Sequence, residues 1–290
     1  MVRCPDISVI TVGYFSQKTL PRLLASLQLQ RSCDFEFIYV ENSLSASSIP
    51  IVQKYFPDAT FLKPKKNIGF GKACNLAARK AQGRFLLFLN PDCEIKTFDT
   101  VYNLLKMLLA RPDMGICIPQ FLDVHDNLKS GAHRFYFGEK YFPNKFIGLP
   151  GNIAWGSGAA FLIPATVFNV VGGFDERYYM HAEDMDIGLK VRCAGYFIAE
   201  VKGSLILHIG GASSPYAYRT QEEASNVVLK ALTCFTRKHY SELEHQVIWK
   251  KYRKKALLGM VKSIILLQRR RILSYCIRFK FACKFILQQQ

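Results

Sequence analysis

Between residues 6 and 92 the chain alternates short apolar runs with segments whose apolar residues recur at helical spacing. "DISVITVGY" (6–14) is β-branched and bounded by Pro5 and Gly13, the mark of a strand. "TLPRLLASLQLQ" (19–30) sets leucines at 20, 23, 24 and 27, one face of a helix. "FEFIYV" (35–40) reads as a second strand, "IPIVQKYF" as a short helix and "ATFLK" as a short strand. "GKACNLAARKAQG" is Ala-rich and helical, with Gly83 as its expected C-terminal cap. "RFLLFLN" is apolar without alternation, as strands buried on both faces are. This alternation predicts a parallel, doubly wound α/β sheet, which binds ligands beyond the carboxyl ends of its strands. The polar residues that follow the strands, Glu41 to Ser43, Asn67 to Gly71 and Asn90 to Asp92, are therefore expected to converge on one crevice.

Downstream the pattern is less regular. "TFDTVYNLLKMLLARPD" reads as a helix with Thr97 as N-cap and Pro112 as stop, and "MGICIPQF" as a strand. Residues 122–154 are rich in aromatics, Gly and Pro and read as a long excursion or hairpin. No internal repeat is evident.

The 290 residues are 50% hydrophobic and 21% charged, enough for one large or two small folded domains and unlike a disordered chain. The net charge of +17 is uneven. No Asp or Glu follows Glu244, and residues 250–290 carry twelve Lys and Arg. Residues 1–249 hold 27 Lys and Arg against 22 Asp and Glu. A basic tail on a mildly basic body implies an anionic surface as partner. Nine cysteines without a C-x-x-C pair argue against a disulfide framework or a zinc cluster and fit a reducing compartment. The N-terminus lacks a long apolar signal core, and no run of about 18 apolar residues predicts a membrane-spanning helix.

Four stretches carry chemistry. "NIGFGKACN" (67–75) is a glycine-rich turn ahead of a helix that could bring backbone N–H groups to a phosphate, though it is neither a P-loop nor the dinucleotide fingerprint; an ordinary turn reads equally well. Asn90-Pro91-Asp92 by itself reads as a strand-end turn; as a metal site it needs only the one carboxylate, because a divalent ion on a diphosphate takes its other ligands from phosphate and water. In "GGFDERYYMHAEDMDIGLKVRCAGY", Glu183, Asp184 and Asp186 open a helical pattern closed by Gly195. The macrodipole favours carboxylates there, but three acids in four positions repel, a cost that a catalytic base would explain. His208 ends the apolar run of "LILHIGGASS"; the structural role is the commoner one for such a histidine, and a metal ligand the alternative.

Taken in order, "ISVITVGYFS", "IYVENSLS", "NIGFGKACNLAARKAQGRFLLFLNPD", "WGSGAAFLIPATVFNVVGGFDERYYMHAEDMDIGLKVRCAGY", "LHIGGASS" and "TRKHY" resemble the family-2 glycosyltransferases, in their rhamnosyltransferase-like and galactofuranosyltransferase-like branch. The resemblance spans about residues 6–240. It implies a GT-A (Rossmann-like) fold: a mixed, mainly parallel sheet flanked by helices, followed by a basic amphipathic helical tail. Residues 1–240 would form the enzyme domain, with a nucleotide-sugar half (1–95) and an acceptor and catalytic half (96–240), and 241–290 the tail. Asn90-Pro91-Asp92 would stand for the family's D-x-D motif, with Asp92 nearest the ion. Glu41 matches an Asp that contacts the nucleotide base. Asn67, Gly69 and Gly71 match the nucleotide-sugar loop, and Asp184 of Glu183-Asp184 the catalytic base. His208 matches a histidine that completes the metal shell in some relatives. Trp155, Gly156, Ser157 and Gly158 match the strand edge facing donor sugar and acceptor. Two departures fall in the implied base pocket: Phe15 follows Tyr14 where the family has Asn, and Glu41 is one methylene longer than the usual Asp.

The implied reaction is inverting transfer from a nucleoside-diphosphate sugar with Mg²⁺ or Mn²⁺. dTDP-rhamnose is the first expectation, and UDP-galactofuranose or another UDP-hexose the second. The acceptor would be a lipid-linked or polysaccharide glycan of O-antigen or cell-wall type. In the tail, Lys255, Lys262 and Arg269 are seven apart among Leu257, Leu258, Val261, Ile264, Ile265 and Leu267, the pattern of a helix lying on the inner, cytoplasmic membrane surface. Packing on the body or in a homodimer is the competing use. A basic nucleic-acid-binding protein is the alternative from another class; the charge sits in an apolar-rich tail and not in an aromatic–basic groove, which argues against it.

Overall fold

The computed structural model describes residues 5–44, 48–211, 220–265 and 269–287. Ala212 to Ser214 of "LHIGGASS", part of the loop after Glu41 and Leu267 of the tail lie outside them. The chain divides into two compact units, Met1–Tyr136, Gly148–Tyr179 and Glu183–Ser213 in one, Phe137–Ile147, Met180–Ala182 and Ser214–Gln290 in the other.

The first unit contains β1 (Ile7–Gly13), α1 (Leu20–Gln28), β2 (Phe35–Glu41), α2 (Ile49–Tyr55), β3 (Thr60–Leu62), α3 (Phe70–Ala78), β4 (Phe85–Leu89), β5 (Cys93–Ile95), α4 (Thr100–Ala110) and β6 (Met114–Leu122). β7 (Leu128–Lys129), β8 (Ala132–His133), β9 (Trp155–Gly156), β10 (Ala160–Pro164), α5 (Ala165–Val170), α6 (Glu183–Cys193) and β11 (Phe197–His208) follow. The main sheet runs β3-β2-β1-β4-β10-β6-β11-β5, with β7 on β6. β1, β2, β3 and β4 are mutually parallel. β10 is antiparallel to both β4 and β6, and β11 is parallel to β6. The sheet is thus mixed and mainly parallel, as expected, and two successive reversals leave β6 and β11 pointing the same way as β1, β2 and β4.

The central strands feed both faces of this sheet. Ile7, Val9, Phe37, Tyr39, Leu87 and Leu89 pack with α1, α2 and α4 on one side, while Ile10, Val12, Ile38, Val40, Leu86 and Phe88 pack with α3, α5 and α6 on the other. This is why "RFLLFLN" shows no alternation. Phe88 anchors the second layer, with Phe161, Phe168 and Phe174 rings centred 5.1–5.3 Å away.

Two boundaries differ from the sequence reading. α3 stops at Ala78, not at Gly83; Gly83 instead lets the chain pass Ser8, where a Cβ would lie 2.4 Å from the Ser8 nitrogen. α4 starts at Thr100 with Asp99 at the N-cap, while the Thr97 hydroxyl bonds the Thr100 hydroxyl.

The second unit holds α7 (Gln221–His239), α8 (Glu242–Ile265) and α9 (Arg269–Leu287). The hydroxyl of Thr220 caps α7 by accepting from the Glu223 N–H at 3.1 Å. Leu229 of α7, the fully buried Trp249 of α8 and Ala282 of α9 form its core, with Phe137 against them. Arg269 opens α9, so it does not continue the stripe of Lys255 and Lys262 along one helix.

Candidate active site

Strand direction assembles the site. Because β1, β2, β4 and β11 all point one way, Gly13, Glu41, Leu89 and His208 end at one sheet edge. β10 runs the opposite way and pairs Ala160 with Leu89, so the segment from Trp155 to Ala159 enters at that same edge.

Asp92 and His208 meet there. The turn at 91–92 leads into β5, which pairs antiparallel with β11 and sets Cys93 opposite His208. His208 Nε2 lies 3.5 Å from Asp92 Oδ1, and the Ile209 N–H donates to the Asp92 carbonyl at 3.2 Å. The ligand atoms of Asp92, Cys93 and His208 lie within 4.8 Å of one another. The carboxylate suits Mg²⁺ or Mn²⁺, while the imidazole favours a first-row transition ion over Mg²⁺. Cys93 does not: its Sγ donates to the Ala159 carbonyl at 3.4 Å, and burial holds the thiol well above its usual range. Asn90 adds a second polar oxygen: its backbone N–H donates to Ala159 at 2.8 Å, while its buried side-chain Oδ1 has no protein partner. That orphan acceptor beside an Asp–His pair fits a cation-bearing ligand.

Asp184 stands across the segment 157–159. Its Oδ2 accepts from the Gly158 N–H at 3.0 Å and its Oδ1 from the Met185 N–H at 2.8 Å. A Cβ on Gly158 would come 3.2 Å from the Asp184 Cβ. The crowding of three acids resolves itself. Burial first, and then the charge of Asp184, push the Glu183 carboxyl well above the usual carboxylate range, which favours its neutral form. Asp186 is fully buried and accepts from the Tyr178 hydroxyl at 3.2 Å. Asp184 is thus the carboxylate of the three that faces the segment at Gly158.

Of the remaining expected residues, Glu41, Asn67, Gly69 and Tyr14 form a second group, and Trp155 and Gly156 lie apart from it. The buried Glu41 accepts from the Ser43 hydroxyl and, at 3.2 Å, from the Ser43 N–H through Oε1, leaving Oε2 without a protein partner. Asn67 Oδ1 accepts from the Gly69 N–H at 2.9 Å. Gly69 has φ +84°, and a Cβ there would lie 2.4 Å from the Tyr179 carbonyl oxygen, so only glycine fits without strain. Tyr14 joins this group: burial first, then its nearby phenol, raise the Tyr179 hydroxyl. Gly71 links the groups, since a Cβ there would sit 3.7 Å from the Glu183 Cβ. Trp155 stacks on His133 at 3.7 Å and donates its indole N–H to the Phe135 carbonyl, and Gly156 admits Ile118 where a Cβ would clash at 2.4 Å.

The role of Asn42 within the expected Glu41 to Ser43 stretch, and the placement of His133, emerge only in three dimensions. Asn42 donates to Asn67 Oδ1 and to the Gly69 carbonyl and accepts from the Ile68 N–H, tying the glycine loop to the end of β2. His133 feels the charge of Asp184, although burial lowers its pKa overall. A cavity of about 440 Å³ opens beside these groups, lined by Phe121, Asp123, Lys129, His133, Ser157 and His208 among others.

Residues 8–172 match the model of the family described as "Glycosyl transferase family 2". The chain is 24% identical over 232 residues to N-acetylglucosaminyl-diphospho-decaprenol L-rhamnosyltransferase of Mycobacterium tuberculosis, covering 70% of this chain and 75% of that one. It is 26% identical over 160 residues to the rhamnosyltransferase WbbL of Escherichia coli K12, covering 48% and 60%. Among solved structures, the mannosyltransferase PcManGT from Pyrobaculum calidifontis, in complex with GDP-Man and Mn²⁺, superposes with TM-score 0.60 at 16% identity, covering 100% of this chain and 89% of that one. At that identity the likeness is one of fold, the GT-A fold.

Proposed function

The chain belongs to glycosyl transferase family 2 and is a glycosyltransferase; we propose that it transfers L-rhamnose from dTDP-rhamnose to a lipid-linked or polysaccharide acceptor in cell-surface glycan synthesis. The observation that supports glycosyl transfer is the Asp92–His208 pair next to Asn90, which bonds Ala159, with Asp184 bonded to the neighbouring Gly158. The sugar and the lipid-linked acceptor rest on the names of the relatives. The open Oε2 of Glu41 suits an imide N–H, which thymine and uracil share. A UDP-hexose such as UDP-galactofuranose is therefore the second donor reading.

Asp92 and His208, with Asn90 beside them, would hold the diphosphate end of the donor through a divalent cation, Mg²⁺ or Mn²⁺, which supplies a Lewis acid against the charge growing on the leaving group. The loop Asn67 to Gly71, fixed by Asn42, would bind the nucleotide sugar, with Tyr14 and Glu41 at the base. Asp184 takes the proton of the acceptor hydroxyl. The freed oxygen forms its bond to the anomeric carbon while the bond from that carbon to the diphosphate oxygen breaks. One displacement inverts the configuration, and the nucleoside diphosphate leaves with the electron pair. The upward push on Glu183 by burial favours leaving the negative charge on Asp184.

A thermal-shift panel of nucleotide sugars with and without Mn²⁺ tests the donor site, because a ligand of the folded state raises its apparent stability. dTDP-rhamnose should give the largest Mn²⁺-dependent rise in the parent chain and none in Asp92→Ala. A rise unaffected by that substitution would remove Asp92 from the metal site.

A further inference from the structure

We infer that the outward face of α8 docks on an anionic lipid surface. The helix carries two apolar stripes where packing within its own unit needs one. The inward stripe runs through Trp249, Ala256, Gly259, Met260 and Ser263. Trp249 is fully buried, a Cβ on Gly259 would meet the Tyr275 ring of α9 at 2.4 Å, and Cys276 Sγ of α9 lies 3.1 Å from Met260 Sδ.

The outward stripe is Leu257, Leu258, Val261 and Ile264, four large aliphatic side chains within about two turns. They are 40%, 60%, 46% and 51% exposed, although the helix ahead of them buries Ile248 and Trp249 completely. Lys250, Lys251, Lys254 and Lys255 are exposed along the preceding turns, and Lys262 flanks the stripe. Leu257, Val261 and Ile264 stand at i, i+4 and i+7, so they can enter an interface together.

Charge selects the occupant. No acid follows Glu244, so α8 beyond its first turn and all of α9 carry one sign of charge. The stripe itself is aliphatic, without a hydrogen-bonding side chain among its four members. Acyl chains accept such a surface without shape matching, and lysine stems let the ammonium groups rise to anionic headgroups. No helix among the described residues is long and apolar enough to cross a membrane, so the attachment would lie in the plane of the interface. The inference does not depend on the sugar-transfer reading, and its test uses no turnover.

The test is co-sedimentation of the full chain with phosphatidylcholine vesicles, with and without phosphatidylglycerol. The chain should sediment with the anionic vesicles only and be released as salt rises. Leu258→Ser/Val261→Ser/Ile264→Ser should lower the partition coefficient about tenfold or more, as should Lys254→Gln/Lys255→Gln/Lys262→Gln. The control Leu29→Ser/Leu109→Ser, at exposed leucines of the first unit, should change nothing. Circular dichroism checks that the variants keep their helices; if the triple serine variant loses them, Ile264→Ser and the lysine variant decide. Partition unchanged in the variants would overturn the inference. So would a chain that ignores vesicles and forms a dimer which the serine substitutions dissociate in sedimentation velocity, since that assigns the face to a second copy.

Discussion

Asp92 and His208 are 116 residues apart in the chain and 3.5 Å apart in space, because β5 lies antiparallel to β11 and aligns their neighbours. Glu183 shows what such placement does to a titratable group. Its carboxyl is raised from about 4.5 to about 8, by burial first and by Asp184 second. A raised pKa means that the folded state holds the proton more tightly than the unfolded state. The protonated group's contribution to stability is therefore full below about 4.5 and declines as pH rises toward about 8, where the decline ends. In Glu183→Gln this slope should vanish. Urea unfolding of parent and variant at about pH 5 and about pH 8 measures it; a parent that gains stability relative to the variant as pH rises would show the sign to be wrong.

At the scale of elements, the strands were largely legible and their partners were not. Strand ends could be read from the apolar runs, so Glu41, Asn90, Asp92 and His208 could be singled out before any coordinates. Asn42 falls within the stretch Glu41 to Ser43 marked by the end of β2, but its specific role lies in hydrogen bonds to residues 67–69, which periodicity does not encode. His133 sits in the 122–154 excursion, where two-residue strands leave no pattern to count. The end of α3 was misplaced because Ala, Arg and Lys continue the helical composition beyond Ala78, while the close passage of Gly83 past Ser8 is a tertiary fact. The tail reads as one helix because its apolar spacing runs on from residue 257 to 267, whereas α9 folds back to set Tyr275 against Gly259 of α8.

Two substitutions probe these elements. Gly69→Ala forces a side chain into a positive-φ turn against the Tyr179 carbonyl, so it should cost about 1–3 kcal/mol of stability and weaken nucleotide-sugar binding. Calorimetric titration with the donor checks the second effect. Phe88→Ala empties the centre of the aromatic layer and should cost about 3–5 kcal/mol in chemical denaturation, leaving the polar sheet edge in place.

At the scale of the whole molecule, the first unit carries the sheet and every candidate site residue, and the second carries the basic helical face. Catalysis and surface attachment can therefore be tested separately. The most direct measurement of the central claim pairs donor binding with turnover in Asp184→Asn. The substitution keeps the shape and one of the two acceptor oxygens that serve the Gly158 and Met185 N–H groups, and removes the base. The account predicts that the variant folds, binds nucleotide sugar with Mn²⁺ as the parent does, and transfers sugar slower by about 10²–10⁴-fold. Turnover within a few-fold of the parent, with donor binding intact, would contradict it.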